Sequence, residues 1–327
     1  MLIATSALFT ISNQKQFEKI ALQVFRFQYE HNPVYHEFCN HLKCHPQEVK
    51  TIPQIPFLPI QFFKTHNVVS NHNPIQETFT SSGTTGSTTS KHLVTDISLY
   101  EKSYRNGFSE FYGAIENYVV LALLPSYLER EGSSLIYMIN DLISRSKHPD
   151  SGFYLDNYTE LIGKLEQLDR EGQNVILIGV TYALLDLIES HSFELKNTLI
   201  METGGMKGRR KEMIREELHE QLCKGFGVSA IHSEYGMTEL LSQAYSLGNG
   251  VFQCPSWMQI SIRDTEDALS YLEEGKTGGI NVIDLANINS CSFIATQDLG
   301  KKNPNHSFEV LGRFDHSDIR GCNLMVL

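Results

Sequence analysis

At 327 residues, 41% of them hydrophobic, the chain is long enough to bury a large core, as one large domain or two subdomains. Its formal net charge of −11 argues against an electrostatic nucleic-acid binder or a protein held on anionic lipid, since both need clustered positive charge. No apolar run approaches the length of a membrane span, Met1 to Gln14 lacks the basic start and small-residue cleavage site of a secretory signal, and six scattered cysteines read as reduced thiols of a cytoplasmic protein.

From the N-terminus, Phe17, Ile20, Ala21, Val24 and Phe25 recur near helical period and predict an amphipathic helix over Gln14 to Glu30. His36, Cys39, His41, Cys44 and His45 then crowd into a short stretch. The Cys39–Cys44 and His41–His45 pairs each have a spacing that zinc sites allow, but they interleave where a zinc finger separates them by a folded loop. The alternative is a helix ending at Pro46 with buried thiols and exposed imidazoles, and the interleaving favours it. Residues 51–64 carry three prolines, which forbid a regular helix and predict an extended segment laid over an apolar surface.

Thr80 to Lys91 reads Thr-Ser-Ser-Gly-Thr-Thr-Gly-Ser-Thr-Thr-Ser-Lys, in which eleven of twelve residues are Gly, Ser or Thr. Such a run offers hydroxyls and closely spaced backbone N–H groups, the chemistry that wraps a phosphate chain, although the same composition also describes a flexible linker. Counting from Gly83 puts Thr88 and Thr89 where the Walker pattern needs Gly and Lys, so an ordinary P-loop ATPase is disfavoured.

Beyond the loop, helices are expected over Ser98 to Tyr112, Leu135 to Ser144, Tyr158 to Glu171, Tyr182 to Ser190 and Arg209 to Leu222. Buried strands are expected over Tyr118 to Leu124, Asn174 to Val180 and Thr198 to Glu202. This alternation indicates an α/β protein with a mainly parallel sheet, whose ligands sit at the carboxyl ends of the strands, where Gly204-Gly205 and Glu234 to Glu239 fall. After about Gly250 the pattern changes to short strands and turns, which predicts a smaller β-rich lobe.

Four further stretches join the loop: Glu202-Thr203-Gly204-Gly205, Tyr235-Gly236-Met237-Thr238-Glu239, Ala295-Thr296-Gln297-Asp298 and Gly312-Arg313-Phe314-Asp315. Singly each is common in α/β enzymes, but the set in this order resembles the adenylate-forming superfamily of acyl-CoA synthetases and related ligases. The resemblance implies ATP and Mg²⁺ as cofactors and a carboxylic acid substrate. By it, Ser81, Ser82, Gly83, Thr84, Thr85 and Gly86 hold the β- and γ-phosphates. Gly204 and Gly205 let backbone approach the adenine, Tyr235 stacks on it, and Gly236 joins them as a cofactor-binding residue. Thr238 bonds the α-phosphate and Glu239 holds Mg²⁺. Asp298 accepts from the ribose, and Arg313 contacts ribose or phosphate.

Two features depart from the wider superfamily. No proline follows Gly86, so Lys91 comes later than the usual loop lysine, and the sequence stops soon after the turn where a mobile C-terminal domain is expected. Both departures look like the acyl-protein synthetases of bacterial luciferase systems, the LuxE-like proteins, as does the run Ile55 to Lys64. The ending Arg320-Gly321-Cys322-Asn323-Leu324 looks like that subfamily's cysteine-bearing tail. The resemblance implies an adenylating domain over 1–312 and a hinge-like tail over 313–327. It implies that an acid, fatty in the best-known members, is activated as acyl-AMP, carried on Cys322 and handed to an acyl-accepting reductase or carrier protein. Lys91 joins Cys322, Thr238 and Glu239 as a candidate catalytic residue. A small acyl- or aryl-CoA ligase resembling phenylacetate-CoA ligase, and a non-catalytic acyl-adenylate- or nucleotide-binding subunit, remain open as other readings.

Overall fold

The computed structural model describes residues 5–81, 89–125, 132–155, 157–204, 210 and 213–314. The N-terminal helices are α1 (Thr5–Leu8), α2 (Gln14–His31) and α3 (Pro33–His41). Asn13 caps α2 by accepting from the Gln16 N–H, and Phe17, Ala21, Val24 and Phe25 form its buried face, as the periodicity predicts. Helix α3 stops at His41, short of the expected Pro46, because Lys43 turns the backbone left-handed at φ 55°. Cys39 is buried, Cys44 half-buried, and His36, His41 and His45 are exposed.

The proline-rich segment is extended only in part. Leu58–Pro59 forms β1, paired in parallel with a strand near the C-terminal end, Leu58 opposite Ile294. Past the last proline, Phe62–Thr65 coils into a helical turn, α4, where an extended chain was expected. Then β2 (Glu77–Thr80) and β3 (Lys91–Val94) form an antiparallel hairpin whose register pairs Thr80 with Lys91. The Ser/Thr-rich loop is therefore the connection of a hairpin.

Next come α5 (Ile97–Tyr112), β4 (Val119–Leu123), α6 (Ser134–Ser146), β5 (Gly152–Tyr154), α7 (Tyr158–Arg170), β6 (Val175–Val180), α8 (Thr181–Ser190), β7 (Thr198–Thr203), α9 (Arg215–Phe226) and β8 (His232–Tyr235). Every residue of β4 and β6 is buried, as unbroken apolar strands covered on both faces must be. Strands β5, β4, β6, β7 and β8 pair in parallel in that order. Helix α9 begins six residues later than expected, with Glu216 and Glu217 in its first turn, and runs to Gly227, whose φ of 69° closes it.

The remaining strands are β9 (Ala244–Ser246), β10 (Val251–Gln253), β11 (Met258–Arg263), β12 (Thr277–Asp284), β13 (Phe293–Lys302) and β14 (Phe308–Arg313). They are antiparallel and continue the path as β8-β9-β10-β14-β13-β12-β11. The β-rich part thus shares one hydrogen-bonded path with the parallel half, and its β12 and β13 are longer than the short strands expected. No helix among the described residues is long and apolar enough to cross a membrane.

Candidate active site

Strands β6, β7 and β8 deliver their carboxyl ends to one place. At the end of β7, the buried Glu202 carboxylate takes an ion pair from Arg215 of α9 and faces the His219 ring at 3.6 Å. Burial alone would raise its pKa, but His219 and Arg215 outweigh it and hold the carboxyl below the usual range. The Thr181 hydroxyl, at the start of α8, donates to the Gly204 carbonyl at 2.8 Å and to Glu202 at 3.3 Å. Gly204 has φ 71°, a left-handed backbone conformation that favours glycine.

One strand over, the Thr203 hydroxyl donates to Glu234 at 2.6 Å. Glu234 also reaches a narrow cavity of about 10 Å³, room for about one water, among Met138, Ile178, Met201 and Tyr245. Burial pushes its carboxyl up to about 7, the Glu202 charge adding to the rise and the Thr203 bond opposing it. A folded-state pKa above the unfolded one means that folding takes up a proton. The contribution of Glu234 is therefore fully present below the unfolded pKa and is lost as pH rises through 7. Between pH 4.5 and 7.5 the stability of the wild type relative to Glu234→Gln is expected to fall by about 3 kcal/mol, read by urea unfolding across pH. Parallel pH profiles for the two proteins would show that Glu234 does not titrate in this range.

The segment after β8 is held from several sides. Glu239 is 5% exposed. Burial raises its carboxyl pKa against the lowering effects of a Ser90 hydrogen bond and the positive charges of Arg313 and Lys64. Its carbonyl accepts from the Asn287 amide at 2.7 Å. The following residues are pinned by Asp284, fully buried, which accepts from the Leu241 and Ser242 N–H groups at 2.8 and 2.9 Å. From the hairpin, His92 meets the Thr238 carbonyl at 2.8 Å. A side chain added at Gly236 would lie 2.4 Å from the Glu234 carboxyl, so glycine there permits a close approach.

Strands β13 and β14 complete the site. Asp298 lies opposite Arg313 in register, and its two oxygens take the Tyr235 hydroxyl at 2.8 Å and the Arg313 Nε at 3.1 Å. Tyr235 is buried with its ring edge-on to Phe252 and Phe308, and burial, reinforced by Asp298, holds its phenol well above the usual range. Below them the buried Arg263 donates to the carbonyls of Ile280 (2.8 Å) and Thr296 (2.5 Å), and its guanidinium lies 5.5 Å from the Phe314 ring centre.

Ser81, Gly204, Tyr235, Gly236, Thr238, Glu239, Asp298 and Arg313 thus gather around the ends of β7 and β8, the hairpin base and the β13–β14 pair. At the base, the Ser81 N–H donates to the Ser90 carbonyl at 3.1 Å and the Ser90 N–H returns a bond to the Ser81 hydroxyl at 2.9 Å. Lys91 is the exposed first residue of β3. Ser82, Gly83, Thr84, Thr85, Gly86, Gly205 and Cys322 lie outside the described residues. Ser90 falls within the Thr80 to Lys91 run and Glu234 within the Glu234 to Glu239 stretch placed at the strand ends, but sequence reading missed His92, Arg263 and Asp284 as parts of the site. His92 directly follows Lys91, while no spacing or composition singles out Arg263 or Asp284.

Comparison with known proteins accords with this architecture. The model of the acyl-protein synthetase family LuxE matches residues 2–107 and 144–327. The long-chain-fatty-acid–luciferin-component ligase of Vibrio harveyi is 20% identical, over 98% of this chain and 90% of that protein. Its namesake from Photorhabdus luminescens is 38% identical over 74 residues, 22% of this chain and 63% of that protein. Among solved structures, an open conformation of 2-hydroxyisobutyryl-CoA ligase in complex with 2-HIB-AMP and CoA superposes with TM-score 0.65 at 13% identity, covering 92% of this chain and 70% of that one. ATP-bound MatB from Rhodopseudomonas palustris gives TM-score 0.54 at 16% identity, with 75% of this chain matched and about half, 49%, of the MatB length spanned. These structures share the fold, the α/β domain of adenylate-forming ligases. With the family model matched over most of its length, the chain belongs to the LuxE family of acyl-protein synthetases.

Proposed function

We propose that this protein activates a carboxylic acid with ATP as acyl-AMP, carries the acyl group on its own Cys322 and passes it to a partner protein, an acyl-accepting reductase or carrier. The observation that carries the reading is the meeting of sequence-distant stretches at one end of the sheet. The hairpin base reaches Thr238 and Glu239, and Tyr235 reaches Asp298. The long-chain-fatty-acid names of the relatives make a fatty acid the first substrate to test.

In the first step a carboxylate oxygen attacks the α-phosphorus, the bond from that phosphorus to the bridging oxygen breaks, and pyrophosphate leaves. The hydroxyls and N–H groups of the Ser81 to Gly86 run, with Thr238, would hold the phosphates, and Lys91 would add charge beside them. Asp298 still has lone pairs for ribose hydroxyls beyond those taken by Tyr235 and Arg313, and Gly204 and Gly205 would leave space for the base beside Tyr235. Glu239 fits Mg²⁺: it is a hard oxygen donor, buried, whose ionisation burial opposes, so a bound cation would offset its charge. When bound, Mg²⁺ neutralises charge across the phosphates as pyrophosphate departs.

In the second step the Cys322 thiolate attacks the acyl carbonyl and AMP leaves with the mixed-anhydride oxygen. The five described cysteines support this choice by their environments. Burial raises the thiol pKa of Cys39, Cys44, Cys223 and Cys254, and takes that of Cys291 up to about 12, so none is primed as a thiolate. Residues 313–327 would then act as the hinge-like tail that brings Cys322 to the acyl-AMP formed by 1–312.

The test is a screen of carboxylic acids of different chain length, including aryl acids, for acid-dependent exchange of labelled pyrophosphate into ATP. Exchange with at least one acid is the expected result. Folded protein that binds ATP but exchanges with no acid would overturn the proposal in favour of a nucleotide-binding subunit.

A further inference from the structure

The loop hairpin and the Thr238-Glu239 turn come from distant parts of the chain, His92 and Thr238 standing 146 positions apart in sequence. Both sides of a phosphate site built from them must be held in register by contacts between the two. We propose that His92 is a positioning residue of the site, fixing the Thr238-Glu239 turn against the hairpin. The assignment rests on the acid-activating reading given above.

His92 is 1% exposed, sits opposite Phe79 in the hairpin register and packs edge-on to Phe63 with ring centres 5.7 Å apart. Its Nδ1 lies 2.8 Å from the Thr238 carbonyl oxygen. A carbonyl only accepts, so Nδ1 carries the hydrogen. Burial lowers the imidazole pKa to about 4, so the ring is neutral at pH 7 and this tautomer is the one required. Two residues earlier, Ser90 is 2% exposed and close enough to the Glu239 carboxyl to draw its pKa down against the effect of burial. One edge of the hairpin thus holds the backbone of Thr238 and faces the carboxylate of Glu239. On the far side, Asn287 holds the Glu239 carbonyl and Asp284 holds the N–H groups of Leu241 and Ser242. An apolar side chain of similar size would fill the space of the imidazole but leave the Thr238 carbonyl without its donor. The turn would then be free to drift relative to the loop, and a displacement near 1 Å costs up to about a hundredfold in rate when reacting groups must be aligned.

The experiment compares His92→Leu, His92→Asn and His92→Gln with wild type in pyrophosphate exchange and in amide hydrogen exchange of the 237–241 peptide. Asparagine can place an N–H near the position of Nδ1, whereas glutamine shifts it outward by one methylene. In His92→Leu the turnover number is expected to fall ~10- to 100-fold with KM for ATP changed less than about 3-fold, and the 237–241 amides to exchange faster. His92→Asn should restore slow amide exchange and most of the turnover, and His92→Gln should not. If His92→Leu fails to fold, the contrast between Asn and Gln decides the matter. The proposal is overturned if the Leu and Asn variants behave alike, or if Gln matches Asn when Leu does not fold, or if amide exchange of the turn is unchanged. Absence of pyrophosphate exchange in wild type overturns the acid-activating reading instead, and the hydrogen-exchange arm still decides whether His92 fixes the turn.

Discussion

Glu239→Gln is expected to slow acid-dependent pyrophosphate exchange by about a hundredfold or more while changing ATP affinity only a few-fold. Glutamine preserves the volume of the side chain and an acceptor oxygen for Ser90, so the substitution removes charge and little else. The fold should tolerate it, because burial makes ionised Glu239 costly and a neutral amide avoids that cost. The loss falls on turnover because charge on the phosphates is greatest as the bond to pyrophosphate breaks, when a carboxylate-held cation contributes most. In the proposed site ground-state ATP would be held in addition by the loop and by the Asp298 region, which the substitution leaves in place. The measurement is exchange rate and ATP binding for both proteins across Mg²⁺ concentrations. Equal exchange rates throughout the series would remove Glu239 from the metal site.

Much of the parallel half of the fold is legible in the sequence because its strands are buried on both faces. Val119 to Leu123 and Val175 to Val180 are continuous apolar runs, and each lies within a residue or so of its predicted bounds. Helix α5 is equally plain, since Asp96 caps its start and Gly113, at φ 78°, follows its end. Helix α9 is less so: charges continue upstream of Arg215, and nothing in their pattern marks where tertiary contact with Glu202 fixes the first turn. The antiparallel half reads as short strands because Gly275, Gly278 and Gly279 look like turn residues, yet the last two are not. They lie instead inside β12, where the backbone and side chain of Arg263 crowd positions that a Cβ would fill.

The site divides along similar lines. Residues proposed for the nucleotide site by chemical type, such as Glu239 and Asp298, stand in short stretches whose order along the chain resembles that of the adenylate-forming ligases. Residues that hold those stretches in place act through backbone atoms and leave no comparable trace. Arg263 looks like a surface arginine in an alternating strand, yet it is 9% exposed and spends its guanidinium on main-chain carbonyls and Asn281 under the Asp298 strand. Asp284 resembles any strand-end acid until Leu241, Ser242 and Ala286 converge on it. Such contacts depend on strand register and on which loop crosses which sheet end, and a single sequence specifies both only through the whole fold.

Cys322→Ser is expected to abolish the covalent acyl-protein adduct while leaving acid-dependent pyrophosphate exchange near wild type. The two activities separate because adenylation is assigned to groups no later in the chain than Arg313, whereas thioester formation needs a thiolate within about 3.5 Å of the acyl-AMP carbonyl. Arg320, close to Cys322 in sequence, would favour the thiolate if its charge lies beside the sulfur, in contrast to the described cysteines, whose thiols burial disfavours as nucleophiles. Serine removes the nucleophile with almost no change in size, and an alcohol of ordinary pKa does not replace it without an adjacent base. The decisive measurement is mass spectrometry of protein incubated with ATP and an accepted acid. A hydroxylamine-sensitive adduct is expected on the C-terminal peptide of wild type, with none on the variant. With a labelled acid and a candidate acceptor protein added, label should pass from the wild-type adduct to the acceptor and fail to pass from the variant. Persistence of the same adduct in Cys322→Ser would assign the acyl group to another residue, and rapid acyl transfer to free coenzyme A with no protein adduct in wild type would place the chain's chemistry with the acyl-CoA ligases instead.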